Sequence, residues 1–263
     1  MLGLFKDECY KMFRKKKLYL FFALLLANEL IFVFQSKFSA GGPQQAVMNG
    51  QSFPLQMLSG SSLFIAIFMA VLVADMVSDE YRQGNFKAVL LHPIQRGQLV
   101  CAKAASLLLA LVVVVAFTGL TSCLLGGIFF GQGDAILVNG APVISHGTSL
   151  GGLRGALATV LAALGFILAA FGLTMLALFV SFLTDSSPVT IAVGASLALF
   201  AKMALGVEVL RKAFIGAFMD TLPSMIVAGA GLPEIFLTIA IAAVYAAGFY
   251  GASILLFSGK DVL

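Results

Sequence analysis

Apolar residues in this chain come in long, nearly unbroken runs. Six stand out, over 18–35, 58–75, 104–130, 153–183, 189–207 and 234–257. At 1.5 Å per helical residue, runs of this length suit a hydrocarbon layer ~30 Å thick. The pattern predicts an all-α membrane protein with six transmembrane helices. Three segments break it. Over 1–17, Leu2, Phe5, Cys9, Met12 and Phe13 recur at helical spacing while the basic residues fall elsewhere, which predicts an amphipathic helix lying in the membrane interface. Segment 78–97 is the most polar internal stretch. Segment 208–233 is too polar for lipid yet rich in Leu, Phe and Met.

Composition agrees with this picture. Hydrophobic residues make up 60% of the chain and charged residues 11%, against about 25% charged in soluble domains. Mean hydropathy is +1.05. A water-soluble surface cannot be assembled from this mixture, so lipid must cover most of the outside. The net charge of +4 is assigned to topology and headgroup contact rather than to nucleic acid, because the basic residues cluster at the ends of spans. With the N-terminus inside, Lys6, Lys11, Arg14, Lys15, Lys16, Lys17, Arg82, Lys87, Arg96, Lys103 and Lys260 fall on one side, against Lys37, Arg154, Arg211 and Lys212 on the other. This asymmetry places both termini in the cytoplasm. The first apolar run contains Asn28 and Glu29 and is too long for a signal-peptide core, so it is expected to stay as a span. Cys9, Cys101 and Cys123 form no paired motif and are expected to be small hydrophobes. Gly127 with Gly131, Gly151 with Gly155, and Gly248 with Gly251 are expected to be helix-packing positions.

Few residues carry candidate chemistry. The only Gly-Lys pair, Gly259-Lys260, is followed by Asp261, so no phosphate-binding G-x-x-x-x-G-K-[ST] loop exists in this chain. No HExxH or Cys/His cluster marks a metal site, and no G-x-S-x-G motif marks a nucleophile. Glu29 lies ~16 Å along the first span, near the bilayer centre, where a carboxylate is costly and a functional candidate. Asn28 is beside it, and Lys202 lies in the fifth span. These three are the candidate substrate pathway, and a Glu29–Lys202 ion pair is one arrangement they could adopt. They also motivate the alternative of an ion-coupled secondary transporter. In 78–97, Ser78 can cap a short helix with Asp79 and Glu80 in its first turn. Phe86, Val89 and Leu90 share a helical face, and Pro93 ends the segment. A polar helix with an apolar stripe, flat beneath two spans, predicts a docking surface for a partner.

Glu80-Tyr81, Gly84, Leu90-Leu91, Pro93, Arg96 and Lys103 resemble the E-x-x-x-G-x-x-x-x-x-L-L-x-x-P-x-x-R…K stretch of ABC-2 type permeases, the membrane subunits of ATP-binding-cassette exporters. Asn85 departs from the Thr that often follows the Gly. The 1–17 segment, with Glu8, Lys11, Arg14 and Lys15, is similar to that family's elbow helix, and Phe257-Ser258-Gly259-Lys260-Asp261 resembles its usual ending. The resemblance implies a single permease domain over 1–263, comprising an elbow helix (1–17), a cytoplasmic coupling segment (78–97) and a re-entrant outer segment (208–233). It implies that Asp79, Glu80, Tyr81, Gly84, Phe86, Leu90, Pro93 and Arg96 face the ATPase. It further implies two separate ATPase subunits that hold ATP and Mg, a second permease copy or sister permease, and no cofactor or catalytic residue in this chain. The cargo expected by analogy is amphipathic or lipophilic, as in bacitracin, lantibiotic-immunity and peptide exporters.

Overall fold

The computed structural model describes residues 2–38, 50–82, 96–131, 136–138, 141–143 and 153–259. In chain order the helices are α1 (Leu2–Phe13), α2 (Lys16–Phe38), α3 (Ser52–Gly60), α4 (Ser62–Met76), α5 (Ser78–Arg82), α6 (Arg96–Phe130), α7 (Leu153–Thr184), α8 (Ser187–Ala204), α9 (Glu208–Ala213), α10 (Phe218–Ala228) and α11 (Leu232–Ser258). A 3-10 turn, Ile215–Ala217, precedes α10. Six helices are long and apolar enough to cross a membrane: Lys16–Lys37, Ser62–Glu80, Arg96–Phe130, Arg154–Thr184, Ser187–Ala204 and Leu232–Ser258. The predicted six-span, all-α class is therefore the observed one. The exception is small: within the connection after α6, strands β1 (Ile136–Val138) and β2 (Ala141–Val143) pair antiparallel, with Leu137 opposite Pro142.

Two span boundaries differ from the sequence expectation. The second span does not run straight from residue 58, because the helix breaks at Ser61, which separates α3 from α4. The third begins at Arg96 rather than at 104. Its first three turns carry Arg96 and Gln98, which are half-buried, and Lys103, which is fully buried, although all three read as loop in a hydropathy profile.

The helices form an inner and an outer set. Within an apolar 18-residue stretch of each central span, α4, α6 and α7, between 61% and 72% of residues are buried, against 28% in α2, 33% in α8 and 17% in α11. One stripe of α2 (Leu18, Phe21, Leu25, Glu29, Val33) is buried, at the i, i+3/i+4 spacing of a helix face. Phe21 stacks on Phe68 of α4 with ring centroids 3.7 Å apart. The other faces of α2 and α11 expose Leu20, Leu24, Phe34, Phe236, Val244 and Leu255, as lipid-facing surface does.

Close backbone approach occurs where glycine permits it. Gly194 of α8 lies directly against Ala70 of α4. Gly50 donates its N–H to the Gly131 carbonyl at 2.8 Å, and a Cβ on Gly50 would press on Gly127 and Gly131. The Gly127/Gly131 pair is thus a packing position. Gly248 and Gly251 meet nothing within 4 Å, so that pair faces outward from the chain. Gly151 lies outside the described residues.

Candidate functional site

At the end of the bundle where the N-terminus lies, charged side chains from three elements, α1, α5 and α6, converge. α1 presents Phe5, Glu8, Cys9 and Met12 along its inward face, and Glu8 in the middle of that stripe is buried. Opposite it, in the third turn of α6, Lys103 is completely buried. An ammonium has three donors and no acceptor, and all three are used here. Lys103 Nζ donates to Glu8 Oε2 at 3.0 Å, to Glu80 Oε2 at 2.6 Å and to the Met76 carbonyl at 2.7 Å. Lys11 closes the cluster from the solvent side, 3.2 Å from Glu80 and 3.4 Å from Glu8. Two cations face two carboxylates, so the buried charge is balanced, as burial requires. Burial pushes the Lys11 ammonium towards a lower pKa, but the Glu8 and Glu80 carboxylates outweigh it and hold the group above the usual lysine value.

The same end carries further ties. Asp75, at the end of α4, accepts from Lys17 at 2.9 and 3.1 Å, and Lys15 donates to its carbonyl at 3.3 Å. The start of α2 is therefore pinned to α4. Ser78 hydrogen-bonds Ser181 of α7 at 2.7 Å and Thr190 of α8 at 3.3 Å, and Asp79 accepts from Ser187 at the start of α8. Arg96 donates to the Phe257 and Ser258 carbonyls at 3.3 and 3.0 Å. A cation is thereby placed on the unsatisfied carbonyls that end α11. Residues 75–80 and Arg96, the two ends of the polar segment, are thus joined to α1, α2, α6, α7, α8 and α11.

The sequence-predicted residues divide as follows. Asp79, Glu80 and Arg96 meet helix partners at this end. Lys11 and Lys15 join them, while Arg14 sits over the Tyr10 ring, 5.3 Å from its centroid. Tyr81 is in α5. Gly84, Phe86, Leu90 and Pro93 lie outside the described residues. Asn28, Glu29 and Lys202 do not converge within the chain. Asn28 donates to Ser61 at 3.2 Å. Glu29 is buried and accepts from Thr121 of α6 at 3.0 Å, while its Oε2 has no hydrogen-bond partner. Lys202 is bound to Asp220 of α10 at 2.9 Å and to the Ser59 carbonyl at 3.1 Å. The Glu29–Lys202 pair is therefore not made within the chain, because a nearer carboxylate takes the lysine. Asp220 also accepts from Ser59 at 2.9 Å and Ser62 at 3.1 Å, so it gathers α3, α4 and α8 around the start of α10. Sequence reasoning did not single out Asp220. Its one signal was a lone carboxylate in the apolar stretch 214–227. Among the described residues no group of His, Cys, Asp and Glu could hold a metal ion.

A family model described as ABC-2 family transporter protein matches residues 4–200. The chain belongs to the ABC-2 transporter family. A search of curated proteins finds no match. The matched range contains Glu8, Asp75, Glu80, Arg96 and Lys103, so the charged cluster lies wholly inside the ABC-2 region, whereas Lys202, Asp220 and α11 follow it. An ABC-2 permease is a membrane transport component and is not itself the ATPase.

Proposed function

We propose that this chain is the membrane subunit of an ABC exporter in the cytoplasmic membrane, with both termini inside. It moves an amphipathic or lipophilic molecule, such as a peptide, an antimicrobial or a lipid-like compound, at the expense of ATP bound with Mg on two separate ATPase subunits. A second permease, identical or a sister, completes the pathway. One observation carries the reading: both ends of the 78–97 segment are bonded to other helices, Glu80 through Lys103 to α1 and α6, and Arg96 to the end of α11. A partner pressing on that segment would move several spans together. The elbow helix α1 is bonded into the same cluster, as coupling through both surfaces requires.

The test is to co-express the chain with the ATPase encoded nearest to it, purify through a tag on the permease and measure ATP hydrolysis in lipid. Co-purification with lipid-dependent hydrolysis is expected, and Glu80→Ala with Arg96→Ala should lose both. Failure of the wild type to capture an ATPase in detergent and in lipid would reject the assignment. A second reading, a proton-coupled carrier, is favoured only by Glu29 with its unpartnered Oε2. It predicts cargo movement driven by a pH gradient without ATP and abolished by Glu29→Gln.

A further inference from the structure

A groove of about 610 Å³ lies at the opposite end of the bundle from the charged cluster, between the first half of α7, the end of α10 and the start of α11. Every residue lining it is apolar or glycine. Leu161, Leu164 and Leu168 form one wall, and Ile226, Ile235 and Ile239 face them. Gly165 and Gly229 keep it concave. A Cβ on Gly165 would come within 3.0 Å of Ile226, and Gly229 holds the left-handed turn (φ 68°) that ends α10. Leu161, Leu164 and Leu232 are more than half exposed, so the groove opens on the outer surface of the bundle.

The stripe continues to a charge. Arg154 precedes Leu161 by seven residues and Leu168 by fourteen, so on a 3.6-residue helix all three project from nearly the same face. Arg154 is exposed. None of the ion pairs among the described residues engages it. From Arg154 to Leu168 the rise is ~21 Å, about half of a bilayer ~40–45 Å thick including headgroups. The charge therefore sits at headgroup level and the groove at acyl level of a single leaflet.

We propose that this groove binds one acyl chain of a membrane phospholipid whose anionic headgroup pairs with Arg154. Charge complementarity and the match to one leaflet select this occupant. A second copy of the chain would bring no obvious need for a cation at that height. The inference stands independently of whether the protein exports anything.

The protein contains no Trp, so one introduced indole is an unambiguous reporter. Leu164→Trp places it in the groove wall, and Val244→Trp places it on open lipid-facing surface of α11, where Val244 is 70% exposed. Both variants are reconstituted into phosphatidylcholine and quenched with increasing fractions of dibrominated phosphatidylglycerol or dibrominated phosphatidylcholine. At Leu164→Trp, half-quenching is expected at about five-fold lower mole fraction of the anionic lipid, the factor one interfacial cation supplies. At Val244→Trp the two lipids should quench alike. Adding Arg154→Gln to Leu164→Trp should erase the preference. Equal quenching by both lipids at Leu164→Trp overturns the proposal in favour of unselective solvation. An indole there that neither lipid quenches, while Val244→Trp is quenched, overturns it in favour of a groove sealed by protein. Leu161→Trp replaces Leu164→Trp if the latter is not monodisperse.

Discussion

At one end of the bundle, Lys103 draws carboxylates from two other elements onto a fully buried ammonium, and Lys15, Lys17, Asp75, Asp79 and Arg96 add ties around it. At the other end, a single pair, Lys202 with Asp220, gathers α3, α4, α8 and α10. Each end buries charge, but the degree differs. Lys103 is sealed from solvent, whereas the Lys202 side chain is 34% exposed. A sealed cation has nowhere to go when a partner is lost. A part-exposed one can turn to the interface and recover hydration. The first end is built to stay assembled. The second is a clasp that can open at modest cost.

Substitutions can break that contrast, in a graded order. Lys103→Met strands Glu8 and Glu80 beside a single remaining cation and is expected to cost about 3–5 kcal/mol. The midpoint of denaturant or thermal unfolding in detergent measures it. Restoring neutrality with Glu8→Gln in the same chain should recover much of the loss, and a purely additive result would refute the charge-balance account. Asp220→Ala leaves the Ser59 hydroxyl without its acceptor and Lys202 and Ser62 with only the Ser59 carbonyl, and is expected to cost about 2–3 kcal/mol. Lys202→Met should cost less than Asp220→Ala. If Asp220→Ala proves worse than Lys103→Met, the assignment of rigid and releasable ends is reversed. Gly194→Ala, between the two ends, forces a methyl against Ala70 and is expected to cost about 1–2 kcal/mol by overpacking. It should leave the partners of Lys103 and Asp220 cross-linkable as before. Arg96→Gln removes a cation from the end of α11 and should cost about 1 kcal/mol. Its effect on ATP hydrolysis by an assembled complex should exceed its effect on stability. Lys212→Ala removes the exposed Lys212–Glu208 pair and should change neither unfolding nor hydrolysis.

The pH dependence of the charged cluster has a definite sign. Because the Lys11 pKa is raised in the folded protein, its contribution is complete at neutral pH. It is lost only as pH climbs past the ordinary lysine value near 10.5. Cysteine accessibility at Cys9, on the same helix, can follow that release. Accessibility that rises well below this range would show that another group controls the docking of α1.

All six spans were legible in the sequence because transfer into lipid acts on composition, which a run of apolar residues reports directly. The ends were less legible. Arg96 and Lys103 look like loop to any hydropathy window, and it is the end of α11 beside Arg96, and α1 and α5 beside Lys103, that make a helix there satisfiable. Glu80, Arg96 and Lys11 were reachable through a family-like spacing, but the convergence of Glu8 and Glu80 on Lys103 was not. It joins residues 95 and 23 positions apart, and no periodicity encodes such a meeting. Lys202 and Glu29 were each conspicuous as charges in apolar runs, yet their pairing was unreadable for the same reason. Asp220, 18 positions from Lys202, lies on a short helix that folds back towards it.

The contact of Gly194 with Ala70 bears on how the two ends communicate. α8 packs along α4 over much of its length, and at Gly194 only the Ala70 methyl lies between the two backbones. Ser187, held by Asp79, lies seven residues to one side, or ~10 Å. Lys202, held by Asp220, lies eight residues to the other, or ~12 Å. A stiff rod seated along its length moves as one piece. A displacement of α8 that carries Ser187 therefore carries Lys202 with it, without bending the helix.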